Sequence, residues 1–302
     1  MEKRRRRWPW ILLGVFVALF VAGRILLGTA AAPGPDYVID LPALHRAAVA
    51  GGGALPDRIE VERMGDFGFP RTFVVAGDGF HMHAMVLLAH RVVWPDGKSV
   101  VIDTGMAPAA AKKMPGSKMN TASFDRVEAA MKKATAIVFT HEHVDHVGGA
   151  AAAPDFPAIA KQVRMTSEQL ASPRLERGDF PAGALDSVQP LSYEGLATVA
   201  PGVVLQKAPG HSPGSQLVYV ELANGQRYLF VGDIAWSQDN INLQRGRPRV
   251  AHLLMGEDRE AVASQLRALK ALPTDVHVIA AHDPVALEND LRAGFYREGF
   301  TP

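Results

Sequence analysis

Residues 136–146 read Ala136-Ile137-Val138-Phe139-Thr140-His141-Glu142-His143-Val144-Asp145-His146, a β-like apolar run that ends in four potential metal ligands within six positions. No single helix face presents all four. A strand end opening into a loop and then a helix start does, with His141 and His143 converging on one metal while Asp145 and His146 turn toward a second. The spacing is not that of an HExxH zinc helix, because Asp145 stands where the second histidine belongs. Glu142 therefore reads as a non-ligand facing away from the metals. A histidine-rich surface turn is the bland alternative, and three histidines and an aspartate at this spacing weigh against it.

Four further segments have the same build, an apolar or strand-like run closed by a polar residue. Val100-Val101-Ile102-Asp103 and Leu229-Phe230-Val231-Gly232-Asp233 end at aspartates. Ala208-Pro209-Gly210-His211-Ser212-Pro213-Gly214 holds a histidine among glycines and prolines, and Val278-Ile279-Ala280-Ala281-His282-Asp283 ends at another. Each alone is weak, since a lone aspartate is a common turn or helix cap and a lone histidine is usually structural. The pair His81 and His83 reads as strand or loop histidines near the rim of the site.

In order, Asp103, His141-x-His143-x-Asp145-His146, His211, Asp233 and His282 resemble the five motifs of the metallo-β-lactamase superfamily, over about residues 60–302. The resemblance implies an α/β fold, the αββα sandwich, with metals at one edge of the sheets. It implies one zinc on His141, His143 and His211, a second on Asp145, His146 and His282, Asp233 as the bridge, and Asp103 behind them, orienting a ligand or steadying the loop. A donor set of nitrogen and oxygen suits zinc, and manganese or iron also fit such a site.

Two adjacent dications lower the pKa of a shared water and stabilise an oxyanion. The expectation is a hydrolase in which a metal-bridging hydroxide attacks a carbonyl, with Asp145 or Asp233 carrying the proton to the leaving group. Within the superfamily the full ligand set and the His282-Asp283 ending look most like the N-acyl-homoserine lactonase branch, which implies a small-molecule lactone or ester as substrate. That branch often has a tyrosine three residues after the bridging aspartate to bind the carbonyl; here the substrate-binding position is Trp236. A thioesterase of the glyoxalase II sort is the alternative, although Arg245-Gly246-Arg247-Pro248-Arg249 reads as a solvated loop rather than that branch's basic pattern. A true β-lactamase fits less well, because Asp233 supplies a bridging carboxylate. A membrane-tethered, non-catalytic metal-binding protein is the reading from another class, and a complete ligand set argues against it.

The rest of the chain gives the scaffold. Short runs punctuated by Gly and Pro predict strands over 59–63, 72–75, 84–89 and 99–102, the last two joined at Pro95-Asp96-Gly97. Residues 123–133 read as a helix, 136–140, 203–207, 217–221 and 228–231 as strands, 257–272 as an amphipathic helix and 276–280 as a buried strand. Asn224-Gly225 marks a hairpin. Residues 58–302 read as one catalytic domain, and 33–57 as a linker with a short helix at 41–50.

Lys3 and Arg4–Arg7 precede sixteen uncharged residues, Trp8–Gly23, then Arg24 and a second apolar stretch. Spanning a bilayer takes about 20 apolar residues, and a snorkelling Arg24 lets residues 8–27 cross as one helix. Residues 1–32 thus read as a single-pass inner-membrane anchor of bacterial type with the basic end in the cytoplasm. The rival is a cleaved signal peptide, and Pro33 directly after the small residues counts against cleavage there. Both put the catalytic domain outside the cytoplasm.

The chain has 302 residues, 48% hydrophobic and 21% charged, with no cysteine, which excludes disulfides and thiolate chemistry. Its net charge is +1, and removing the +5 carried by the first 32 residues leaves the remainder at −4. A mildly acidic body argues against nucleic acid as a partner.

Overall fold

A computed structural model describes residues 8–28, 30–112, 116–175 and 180–301. In chain order its first elements are helix α1 (Trp8–Gly28), α2 (Leu41–Val49), strand β1 (Arg58–Pro70), α3 (Arg71–Val74), β2 (Met82–Val93), β3 (Ser99–Ile102), α4 (Pro108–Ala111), β4 (Lys118–Met119), α5 (Thr121–Lys133), β5 (Ala136–Val138) and α6 (Val144–Ala151). There follow α7 (Phe156–Ile159), β6 (Val163–Arg164), α8 (Ser167–Leu170), β7 (Leu196–Ala200), β8 (Val203–Lys207), β9 (Gln216–Glu221) and β10 (Arg227–Phe230). The last are α9 (Gln238–Leu243), α10 (Arg249–Met255), α11 (Arg259–Lys270), β11 (Val276–Ile279), α12 (Pro284–Ala293) and β12 (Arg297–Glu298).

The strands form two sheets, one in the order β12-β1-β2-β3-β5-β6 with β4 on β1, the other β11-β10-β9-β8-β7. Side chains alternate across each strand, and the alternation builds the layers. Val86, Leu88, Val100 and Ile102 of the first sheet meet Val203, Leu205, Val218 and Val220 of the second in a central core. Leu87, Ala89, Val101 and Ile137 point the other way, under Val127 and Met131 of α5 and Val147 of α6. On the far side, Val204, Tyr219 and Leu229 are covered by Leu44 of α2 and by Val262, Leu266 and Leu269 of α11. The result is helix, sheet, sheet, helix.

The strand directions place the site. β3 and β5 are parallel, as are β10 and β11, and β8 runs the same way as β10 because each is antiparallel to β9. Asp103, His141, His211, Asp233 and His282 each follow the carboxyl end of one of these five strands, so one edge of the sandwich collects all of them.

Three expectations need correction. Residues 72–75 form no strand: α3 occupies Arg71–Val74, and Val74 and Val75 are wholly buried against Met85 and Trp236. Tertiary burial overrides the β preference of this β-branched run. β1 continues past Arg63 to Pro70 through an irregularity at Arg63/Gly65, where β4 passes so close that a Cβ on Gly65 would press on the Lys118 carbonyl. Finally, α2, expected within a linker, buries Leu44 and Ala48 completely in the third core.

Candidate metal centre

Backbone bonds tie the strand ends into one frame. Asp103 N donates to Val138 O at 3.0 Å and Thr104 N to His146 O at 2.7 Å, which fastens the start of α6 to the loop after β3. α6 approaches that loop so closely at Gly149 that any Cβ there would overlap the Thr104 carbonyl. Asp103 adopts φ 55°, a left-handed conformation aspartate tolerates, and its carboxylate turns inward. It accepts from Thr140 N and Thr140 Oγ1, each at 2.8 Å, and lies 2.9 Å from His146 Nδ1, leaving His146 Nε2 to face the centre.

Asp233 is the hub. Its Oδ1 lies 3.0 Å from His282 Nε2 and 3.2 Å from His146 Nε2; its Oδ2 lies 3.3 Å from His211 Nε2 and 3.7 Å from His141 Nε2. His143 Nδ1 is 3.0 Å from His211 Nε2 on the same side, and Asp145 Oδ2 is 3.6 Å from His282 Nε2 on the other. Two donor groups result, His141, His143, His211 and Asp233, and Asp145, His146, Asp233 and His282; within each, the donor atoms lie within 4.8 Å of one another. Nε2 of His141 and His146 is buried without a hydrogen-bond partner. Orphaned imidazole nitrogens around a shared carboxylate, with no thiolate present, suit zinc or a similar dication. His81 and His83 join no such group among the described residues. Glu142 is fully buried and accepts from Ser212 Oγ at 2.8 Å, away from the cluster.

The electrostatics follow from this packing. Burial alone would raise the Asp233 carboxyl, but His282, His141, His146 and His211 outweigh it and hold the group well below the usual carboxylate range. Burial drives His141 well below the ordinary imidazole value and, with His211 beside it, takes His143 down to about 2. His146 goes the other way: against its burial, Asp103, Asp145 and Asp233 raise it well above that value. Asp233 likewise raises His282.

A metallo-beta-lactamase superfamily model matches residues 91–282, nearly two thirds of the chain and all of the cluster. The chain belongs to the metallo-beta-lactamase superfamily.

Among curated members, the chain is 28% identical over 137 residues to an N-acyl homoserine lactonase of Bacillus cereus, covering 44% of this chain and 49% of that protein. It is 33% identical over 108 residues to an N-acyl homoserine lactonase of Bacillus thuringiensis, covering 35% and 40%. It is 26% identical over 148 residues to a hydroxyacylglutathione hydrolase of Methylobacillus flagellatus, covering 49% and 48%. The chain thus spans about half the length of the curated relatives it matches. Two solved structures share the fold. An N-acyl homoserine lactone hydrolase with N-hexanoyl-L-homoserine at its catalytic metal centre superimposes with TM-score 0.61 at 18% identity, covering 78% of this chain and 96% of that one. The dizinc quorum-quenching lactonase AidC does so with TM-score 0.54 at 18% identity, covering 74% and 86%.

Beside this superfamily cluster the structure sets two residues that the sequence did not single out for it. Glu257 Oε2 lies 2.9 Å from His211 Nδ1, and Arg247 Nε donates to the same oxygen at 2.7 Å while its Nη2 donates to Asp233 O at 2.7 Å. Arg247 is 1% exposed, which corrects the expectation of a solvated loop over 245–249, and its guanidinium lies 4.8 Å from the centre of the Trp236 ring. Nothing in the linear sequence links positions 247 and 257 to 211. Trp236 itself is buried edge-on to His282 at 6.1 Å and to Phe69 at 5.7 Å, and its indole N–H has no partner.

Proposed function

We propose that this member is a dinuclear metal-dependent hydrolase that opens a lactone or cleaves a carboxylic ester. The observation that carries the reading is the two-faced carboxylate of Asp233, with Oδ2 toward His141 and His211 and Oδ1 toward His146 and His282. His141, His143 and His211 would hold one zinc, Asp145, His146 and His282 the other, and Asp233 would bridge them. When bound, the ions supply Lewis acidity and an activated water at neutral pH.

The protein's own groups then have separate tasks. Asp233, enclosed by four histidines that hold it as the carboxylate, carries negative charge between the two sites. Asp145 is the most exposed of the acidic donors, its side chain 21% accessible in the first turn of α6, and it passes a proton to the leaving group. Asp103 fixes the His146 tautomer through Nδ1, and Glu257 does the same for His211. Trp236 walls the His282 side, its indole N–H buried without a partner.

Lactone opening is favoured by the similarity to N-acyl homoserine lactonases. Thioester hydrolysis is the second reading, favoured by the match to the hydroxyacylglutathione hydrolase. The test is acid release from a long-chain acyl-homoserine lactone by the zinc-loaded chain, with Asp233→Asn as the blank. Turnover lost in the blank supports a metal-dependent lactonase, and turnover near wild type in the blank removes the bridge.

Helix α1, 21 residues with none fully buried and a mean hydropathy of 2.5 over its most apolar 18, supports a membrane anchor. At 1.5 Å per residue it is about 31 Å long, matching a hydrocarbon core of about 30 Å. With Lys3 and Arg4–Arg7 on the cytoplasmic side, the hydrolase would face outward from an inner membrane.

A further inference from the structure

We propose that the loop Gly77–Met82 enters the lipid interface beside α1 and turns the metal-bearing edge of the sandwich toward the bilayer; the proposal rests on the anchor reading of α1. The last turn of α1 is fastened to this part of the protein. Leu27 O accepts from Gly77 N at 3.1 Å and from Thr72 Oγ1 at 3.2 Å, and a Cβ on Gly77 would press on the Gly28 carbonyl. Whatever medium holds the end of α1 therefore also meets the residues that follow Gly77.

Those residues suit lipid. Phe80 is 71% exposed and Met82 65%, and three residues from Gly77 to Phe80 span at most about 10 Å. Leu254, 68% exposed, is on α10, which packs against α1. Exposed Arg245 and Arg249 stand nearby, because Gly246 O accepts from Ala76 N at 3.0 Å. Asp78 in the loop and Asp239 beside it are both paired to Arg71. Large apolar side chains beside basic ones fit the headgroup boundary of an anionic bilayer. Aromatic packing carries the orientation inward: next to Thr72, Phe73 lies 6.2 Å from Phe69, Phe69 lies 5.7 Å from Trp236, and Trp236 lies 6.1 Å from His282. The metal cluster thus shares a wall with the anchor.

The chain has no cysteine, so Phe80→Cys and Asp96→Cys each give a single labelling site. Asp96 is the control, in the hairpin at the far end of the 12-residue β2, roughly 40 Å from Met82 at strand rise. The full chain, labelled with bimane, is reconstituted into vesicles of three parts phosphatidylcholine to one part phosphatidylglycerol and quenched with doxyl-lipid or with aqueous iodide. The proposal expects doxyl-lipid to quench position 80 at least threefold more than position 96, with the reverse order for iodide. Vesicle-bound protein quenched by iodide at 80 as strongly as at 96 overturns the loop's docking while leaving the anchor in place. Protein that does not sediment with vesicles overturns the anchor reading and this proposal with it.

Discussion

Glu257 and His211 form a buried pair: Oε2 of the glutamate lies 2.9 Å from Nδ1 of the histidine, both side chains being fully inaccessible. The contact leaves His211 Nε2 for Asp233 and a metal, and Arg247 neutralises the glutamate from behind. Loss of such a partner typically costs about 10- to 100-fold in metal affinity. Glu257→Gln should therefore weaken zinc binding at the proposed His141, His143, His211 site by about that factor, read by competition with a fluorescent chelator. An affinity within twofold of wild type would leave Glu257 without an orienting role.

Arg247→Met should act on the fold as well as the site. It strands the Glu257 carboxylate, otherwise held below its ordinary range by Arg247 and His211 despite its burial, in the interior. Breaking a buried pair from one side costs about 3–5 kcal/mol. Urea unfolding of the metal-free chain should show a loss of that order, and Arg247→Met with Glu257→Gln should recover part of it because the stranded charge is gone.

His90 predicts an acid-sensitive stability. Burial takes this imidazole down to about 4, against a smaller opposing pull from Asp103, and its Nε2 has no partner. Between pH 6.5 and 4 the unfolded chain binds the proton and the folded one does not, so this contribution is complete above about 6.5 and is lost as pH falls toward 4. About 2.5 units at 1.36 kcal/mol each is on the order of 3 kcal/mol. His90→Phe, packed among Phe230 and Tyr296, should flatten that part of the urea-midpoint profile against pH; superimposable profiles would show that His90 does not titrate this way.

Trp236→Tyr tests the substrate assignment. If lactone opening depends on a phenol at this position, the variant should raise kcat on an acyl-homoserine lactone while zinc content stays unchanged. Equal rates would mean that the indole is no handicap, and a fall would assign Trp236 itself to carbonyl binding.

Much of this was legible in the sequence because it is local. Val86 to Ala89 alternate between two cores, and each ligand candidate closes a short apolar run, so both the strands and the strand-end histidines and aspartates stand out by period and position. α3 was hidden because Thr72 and Val74 favour strand by type, while the helix is fixed by Val74 packing with Met85 and Trp236, which are distant in sequence. Arg247 was hidden for a related reason. An arginine among arginines, glycine and proline looks solvated, and only the fold brings Glu257 and the Asp233 carbonyl to it.

The most direct test of the central claim is the zinc stoichiometry of the chain, measured by titrating metal-free protein at neutral pH and reading bound metal by mass spectrometry. Asp233 facing two donor groups predicts two zinc ions per chain, the second lost in Asp145→Asn/His282→Gln, with His141, His143 and His211 still holding the first. One zinc or none per wild-type chain would contradict the dinuclear account.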